Sequence, residues 1–456
     1  MKVPRNIFRE YDVRGLIDTE LTPALARALG RAFASTGWAR LDRAPVLAVG
    51  RDNRPSGTVF AQAVRQGIMD AGGIAIDVGM MPTPALYFAV EALATDGGMQ
   101  ITGSHNPPEF NGFKMVLTGD SLHGEQITAL WEMITTESWR SGEGQERADS
   151  SVLRRYRDAI VARNSLARAV RVVADCGNGV ASLVAVETLQ ALGAEVAGLF
   201  CESDGTFPNH HPDPTIPANL VDLQAEVRRT GAELGISFDG DGDRIGAVTE
   251  TGEILFGDQL LIIFGRDAVE RFGPGTPVIF DVKCSELLPD ALRKAGAAPE
   301  MWKTGHSLIK ARMKELKAPL AGEMSGHIFF GGDYFGFDDA LFAAARLLEI
   351  VSRGPEGVSR LLADVPKTFA TPEMRVDCPD SAKFELVERA AAHFAAKYPV
   401  NTIDGVRMTF PEGWGLVRAS NTQPVIVLRF EAHSQQALDS YRAEVMEWLA
   451  GQGVRA

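Results

Sequence analysis

Three similar α/β domains with mixed, largely parallel sheets, followed by a smaller α+β domain and arranged around a central cleft, are what this 456-residue sequence predicts. Three observations carry that expectation. Apolar strands alternate with helical stretches ending in Gly, at Ala71-Gly72-Gly73, Leu192-Gly193-Ala194 and Ala295-Gly296-Ala297, as βαβ units with right-handed crossovers require. The same order of elements recurs three times, and each pass reaches a polar loop at a matching strand end. Beyond Val365-Pro366 the alternation stops.

The first pass runs from the strand Val46-Leu47-Ala48-Val49 through the turn Gly50-Arg51-Asp52 and a helix. It continues with the strand Ile74 to Val78, a second helix, and Met99-Gln100-Ile101, which leads into Thr102-Gly103-Ser104-His105-Asn106-Pro107. The second begins at Val170 to Ala174 and arrives, through Leu234 to Phe238, at Asp239-Gly240-Asp241-Gly242-Asp243-Arg244. The third starts at Val278 to Val282 and ends at Gly322-Glu323-Met324-Ser325-Gly326-His327. The last part reads as a strand at Met374 to Val376, a helix from Ala382 to Ala396, two strands flanking Arg418-Ala419-Ser420-Asn421-Thr422, and a helix near Ser434 to Leu449. The expected domains are therefore 1–149, 150–254, 255–366 and 367–456.

Ligands of open α/β sheets bind beyond the carboxyl ends of the strands, so three such domains can each direct one loop at a common cleft. Composition narrows what that cleft receives. A net charge of −13 argues against nucleic acid or an anionic membrane as partner, and no apolar run approaches the length of a membrane span. Charges fill the first ten residues where an export signal needs an apolar core, and Cys176, Cys201, Cys284 and Cys378 form no CxxC pair. A cytoplasmic location with structural thiols is expected.

Each loop carries chemistry beside a plainer reading. Ser104 is an exposed strand-end hydroxyl, and Ser and Asn before Pro are also ordinary turn residues. Adjacent side chains on an extended loop diverge, so His105 is not assumed to activate it. Asp239, Asp241 and Asp243 alternate with glycines, so a tight loop can aim three carboxylates at one hard cation such as Mg²⁺. A calcium loop is the rival, since Glu250 falls at its twelfth position. Its sixth position needs Gly, however, and holds Arg244, and a strand rather than a helix precedes it.

Glu323, Ser325 and His327 alternate on one loop, where a carboxylate suits a vicinal diol, or they form a glycine-flanked structural turn. Arg418, Ser420, Asn421 and Thr422 can grip a phosphate or close a hairpin. Arg14, Lys114, Lys283 and His306 add basic groups in polar turns.

Taken together, the four loops resemble those of the α-D-phosphohexomutase superfamily, in its bacterial phosphomannomutase/phosphoglucomutase branch. Thr-Gly-Ser-His-Asn-Pro, Asp-Gly-Asp-Gly-Asp-Arg, Gly-Glu-Met-Ser-Gly-His and Arg-Ala-Ser-Asn-Thr occur in order along the whole chain, and Tyr11-Asp12-Val13-Arg14-Gly15 and Gly305-His306 also fit. The resemblance implies reversible transfer of phosphate between C6 and C1 of a hexose, through a phosphoserine at Ser104 and a hexose 1,6-bisphosphate. It implies one Mg²⁺ on Asp239, Asp241, Asp243 and an oxygen of the Ser104 phosphate. Substrate contacts would come from Tyr11, Lys283, His306, Glu323, Ser325, His327, Arg418, Ser420, Asn421 and Thr422.

Lys114 and His327 are the candidates for acid/base work, with Arg14, His105 and Arg244 stabilising charge. Mannose and glucose phosphates are the expected substrates and a monomer the expected state. Two rivals stand: a phosphoglucosamine mutase, which usually has Gln where Met324 lies, and a non-catalytic Ca²⁺- or sugar-phosphate-binding protein with no use for Ser104.

Overall fold

The computed structural model describes residues 3–355 and 357–454. In the first sheet Val46–Arg51 lies between Ile74–Met80 and Gly97–Ile101, parallel to both, and Phe110–Leu117 returns antiparallel on Gly97–Ile101. The second repeats this. Arg171–Asp175 sits between Glu195–Leu199 and Leu234–Phe238, with Ile245–Thr249 as the antiparallel return. In the third, Pro277–Asp281 sits between Ala298–Trp302 and Leu320–Gly322, and Ile328–Phe330 returns.

Each polar loop predicted from sequence joins the third strand to its return. The return strands themselves were not anticipated. Phe110–Leu117 is almost wholly buried yet holds Asn111, Gly112 and Lys114, so it lacks the apolar run or the alternation that marks a strand. Its polar residues are inside because they have partners there. Asn111 Nδ2 donates to Ser56 Oγ at 2.8 Å, and Lys114 meets the aspartate loop.

The fourth sheet is antiparallel throughout, with Val425–Ala432 between Gly413–Ala419 and Met374–Asp377, and Val406–Phe410 beyond Gly413–Ala419. Helices Lys383–Ala395 and Gln435–Gly451 share its core, and Ser434 caps the second by accepting from Ala437 N at 3.2 Å.

One apolar core runs through the first three domains. Leu86 and Phe88 of helix Thr83–Ala92, Tyr156 and Ile160 of Val152–Val161, and Leu347 and Val351 of Ala340–Ser352 belong to the same cluster. Each large side chain withdrawn from water there contributes about 2–3 kcal/mol, which makes these domains one body. The fourth domain has its own core and joins the third through the small cluster of Val282, Trp414 and Leu416. Buried Arg407 reinforces that joint, stacking on Trp414 and donating to Val282 O and Cys284 O.

Asp339 caps helix Ala340–Ser352, accepting from Phe342 N at 2.9 Å and from the hydroxyls of Tyr156 and Tyr334 at 2.8 Å each. Burial pushes its carboxyl up to about 7, above the 3.8 of a free side chain. The native state therefore favours the protonated acid, and stability declines as pH rises from about 4 to about 7, by up to about 4 kcal/mol. The expected result is that Asp339→Asn melts close to wild type at about pH 4 and above it at about pH 8. Parallel melting curves at both pH values would contradict this.

Candidate active site

Strand-end loops from all four domains converge on a cleft of 1870 Å³, lined among others by Ser104, Arg244, Glu323 and Arg418. Ser104, expected on an exposed strand-end loop, is instead only 2% exposed, because the aspartate loop of the second domain packs against it. Its backbone is left-handed, with φ of 49°, an unusual conformation for a side-chain-bearing residue and one that the surrounding contacts must hold. Those contacts come from a fully buried arginine. Arg54 donates to the carbonyls of Ser104 (2.8 Å), Asn106 (2.6 Å), Pro107 (2.6 Å) and Phe110 (2.9 Å), and its Nε pairs with Asp52 at 3.1 Å. Asp52 in turn accepts from Gly103 N at 3.1 Å.

Behind Ser104 lie Asp239, Asp241 and Asp243, all at 0% exposure, with ligand atoms within 4.8 Å of one another. Ser104 Oγ donates to Asp239 Oδ2 at 2.9 Å. The alternating glycines allow this approach: a Cβ on Gly240 would stand 2.5 Å from the Ser104 carbonyl oxygen, and Gly242 has φ of 75°. Asp239 Oδ1 accepts from the backbone of Asp243 (3.0 Å) and Arg244 (3.1 Å). Lys114 Nζ reaches Asp241 Oδ2 at 2.8 Å and also bonds Asp243, while Thr83 Oγ1 donates to Asp241 at 2.6 Å.

Burial and the two neighbouring carboxylates push the Asp239 carboxyl well up, whereas Lys114 and Thr83 overcome burial to hold that of Asp241 below the ordinary range. Among the described residues Asp241 Oδ1 and Asp243 Oδ1 have no hydrogen-bond partner. Buried carboxylate oxygens are costly in that state, and a hard divalent cation is the guest that satisfies such a donor set. Glu250, the calcium-loop alternative, instead binds Ser359.

The second and third loops are joined directly. Ile245 N donates to Gly326 O at 3.0 Å, and Arg244 Nε donates to His327 Nε2 at 3.0 Å. Because His327 Nε2 accepts from Arg244, the ring proton is on Nδ1, which stands 3.1 Å from Asp338. His306 stacks on His327 with centroids 5.9 Å apart. Glu323 accepts from Gly305 N at 2.6 Å, and burial raises its carboxyl.

Across the cleft Arg418 Nε pairs with Asp404 at 2.7 Å, and Ser420 Oγ accepts from Thr422 N (3.3 Å) and Gln423 N (3.1 Å). Tyr11 bridges the first domain to the third and fourth, its hydroxyl donating to Thr304 O at 2.8 Å and accepting from Asn421 Nδ2 at 2.7 Å. Arg14 donates to Asn106 Oδ1 at 2.8 Å and Asp12 at 2.6 Å, and Lys283 pairs with Glu373 at 3.1 Å. His105 turns to Asp213 at 2.8 Å, and burial with the nearby Arg244 pushes its imidazole down to about 4, so it is uncharged at neutral pH.

Every catalytic or substrate-binding candidate from the sequence lines this cleft, Ser325 and Thr422 included, with the three aspartates buried beneath it. Arg54, Asp338 and Asp213 escaped notice. Arg54 alone carried a signal, since it belongs to the polar turn after Val46–Arg51, at the same end of the sheet as the other loops.

Four domains in this order, three of them turning back on an antiparallel strand just after a polar loop, make up the fold of phosphoglucomutases and phosphomannomutases. The phosphoglucomutase/phosphomannomutase models for α/β/α domains I, II and III and for the C-terminal domain match residues 5–141, 154–252, 256–369 and 373–447. The chain belongs to the phosphoglucomutase/phosphomannomutase family. It is 48% identical to a phosphomannomutase/phosphoglucomutase of Pseudomonas aeruginosa over 441 residues, covering 96% of this chain and 94% of the relative. A phosphoglucomutase of Neisseria gonorrhoeae is 44% identical over 445 residues, with 96% and 95% covered. The crystal structure of a phosphoglucomutase/phosphomannomutase family protein from Burkholderia thailandensis superposes with a TM-score of 0.92 at 42% identity, covering 99% and 98% of the two chains.

Proposed function

We propose that this protein interconverts the 6-phosphates and 1-phosphates of mannose and glucose through a phosphoserine at Ser104 and a hexose 1,6-bisphosphate that turns over in the cleft. The observation that carries this is the 2.9 Å contact of Ser104 Oγ with the carboxylate loop, at the meeting point of four polar loops. A binding module would have no use for a strained serine seated there.

In the forward half-reaction the P–Oγ bond of phosphoserine breaks as a bond forms to a sugar hydroxyl, and the second half-reaction reverses this at the other carbon. Asp239, Asp241 and Asp243 would hold Mg²⁺, which supplies positive charge to the phosphoryl oxygens. Lys114, kept protonated by Asp241 and Asp243, and Arg14 add charge from the protein. His327 takes the hydroxyl proton on Nε2, with Asp338 behind Nδ1, once Arg244 leaves that nitrogen for the phosphate. Glu323 and Ser325 hold sugar hydroxyls. Arg418, Ser420, Asn421 and Thr422 hold the phosphate that is not reacting, with Tyr11, Lys283 and His306 on the flanks.

Domain divisions at 149/150, 254/255 and 366/367 follow this assignment of one loop to each. A single chain completes the cleft, which supports a monomer, and four free thiols suit the cytoplasm. The fourth domain touches the first through few polar contacts, Asn421 to Tyr11 and Arg9 to Asp380, so we also propose that it swings about Val365-Pro366. Small-angle scattering should show a more compact particle with substrate bound than without; superimposable curves would count against the swing.

Initial rates with mannose 1-phosphate, glucose 1-phosphate and glucosamine 1-phosphate, each with bisphosphate activator, test the assignment. The first two are expected to be the faster substrates, and preference for the amino sugar would favour a phosphoglucosamine mutase. Removing divalent metal with a chelator should lower the rate at least ~100-fold, and Mg²⁺ should restore it. Undiminished turnover without metal is the result that would refute the role given to the three aspartates.

A further inference from the structure

Two cysteines that the proposed reaction leaves unused stand side by side. Cys176 directly follows the strand Arg171–Asp175, and Cys201 lies two residues past the neighbouring strand Glu195–Leu199. Parallel pairing of Asp175 with Leu199 brings the two loops together, and the sulfurs of these free thiols lie 3.2 Å apart. A disulfide bond is about 2.05 Å long, so closure needs a movement of roughly 1 Å shared by two loops.

The pair is asymmetric in a way that suits oxidation. Cys176 is fully buried, while Cys201 is partly exposed and followed by the exposed residues Glu202, Ser203 and Asp204. The Cys176 thiol beside it also draws the Cys201 thiol below its ordinary pKa, against the opposing effect of burial.

Movement there reaches the active site by short routes. Val180 N, four residues after Cys176, donates to Gly240 O of the aspartate loop at 3.1 Å, and Gly240 is packed against the Ser104 carbonyl. Asp175, just before Cys176, pairs with His210 at 3.0 Å, and Asp213 further along that segment holds His105.

The geometry points to Cys176 and Cys201 as an oxidative modification site for hydroperoxides, which joins them in a disulfide and slows the reaction proposed above. The Cys201 thiolate attacks the peroxide, the O–O bond breaks, and Cys201 sulfenic acid forms with release of an alcohol, or of water from hydrogen peroxide. The Cys176 sulfur then displaces the hydroxyl, forming the S–S bond and releasing water. Two electrons pass from the two thiols to one peroxide, and the two thiol protons leave in the alcohol and the water.

The test treats the full-length protein, loaded with Mg²⁺, with hydrogen peroxide. Intact mass and mutase rate are then measured before and after a dithiol reductant. The expected results are a mass loss of two hydrogen atoms, a cross-linked peptide containing Cys176 and Cys201, and a rate reduced roughly 10-fold to 100-fold, all reversed by the reductant. Cys201→Ser should keep the untreated rate and respond to neither reagent. Added oxygen on Cys201 without a cross-link, a disulfide that leaves the rate unchanged, or equal inhibition of Cys201→Ser would each overturn the proposal. Absence of mutase activity in untreated protein would instead tell against the assigned reaction, and the mass measurement would still decide whether the thiols pair.

Discussion

Ser104→Ala is expected to abolish turnover, by roughly 10⁴-fold or more, and to leave no phosphoryl group on the protein. The reason is chemical rather than structural. Deleting Oγ removes one hydrogen bond to Asp239 and leaves the loop's other supports, Arg54 and the Thr102 hydroxyl that accepts from Ser104 N at 2.8 Å, in place. The variant should therefore melt within about 1–2 kcal/mol of wild type while losing the atom that carries phosphate. Intact mass of wild type should show a fraction heavier by one phosphoryl group, absent from Ser104→Ala. A variant that kept substantial activity, or kept the added mass, would exclude Ser104 as the carrier.

Arg54→Met should produce the largest effect of any residue that never meets substrate. The substitution leaves Asp52 charged and buried without its partner and strips donors from the carbonyls of Ser104, Asn106, Pro107 and Phe110. Leaving one member of a buried pair alone costs about 3–5 kcal/mol, to be read as a lower denaturation midpoint in urea. In the molecules that remain folded, release of the left-handed Ser104 conformation misplaces Oγ, and kcat should fall roughly 100-fold with little change in KM. Arg54→Lys separates the two effects. It retains the charge beside Asp52 but cannot fork to four carbonyls, so stability should recover more than turnover does. Wild-type kcat in the lysine variant would show that the fork is dispensable.

These two residues also mark how far sequence reasoning reaches. Ser104 was legible because its loop has a local signature and occupies the first of three matching positions, and the Asp239, Glu323 and Arg418 loops were legible for the same reason. Helix boundaries in the last domain likewise follow local signals, as with Ser434 ahead of Gln435–Gly451. Arg54 offered only its place in the polar turn after Val46–Arg51, and that place does not announce that its guanidinium will end under a loop about fifty residues later. Lys114 stood in a stretch too polar to read as a strand, and only the aspartate loop of another domain accounts for its burial.

The sequence by itself determined the class of fold, the number of repeats, the chemical character of each loop and the residues that face the cleft. Those properties depend on periodicity, glycine placement and side-chain type, which are local. Tertiary structure alone decided which groups meet: Lys114 with Asp241 and Asp243, Arg244 with His327 and Asp338 behind it, His105 with Asp213 rather than with its neighbour Ser104, and Cys176 with Cys201. Several of these pairs join residues more than a hundred positions apart. Their distances follow from how whole sheets pack on a shared core, and no short window of sequence contains that information.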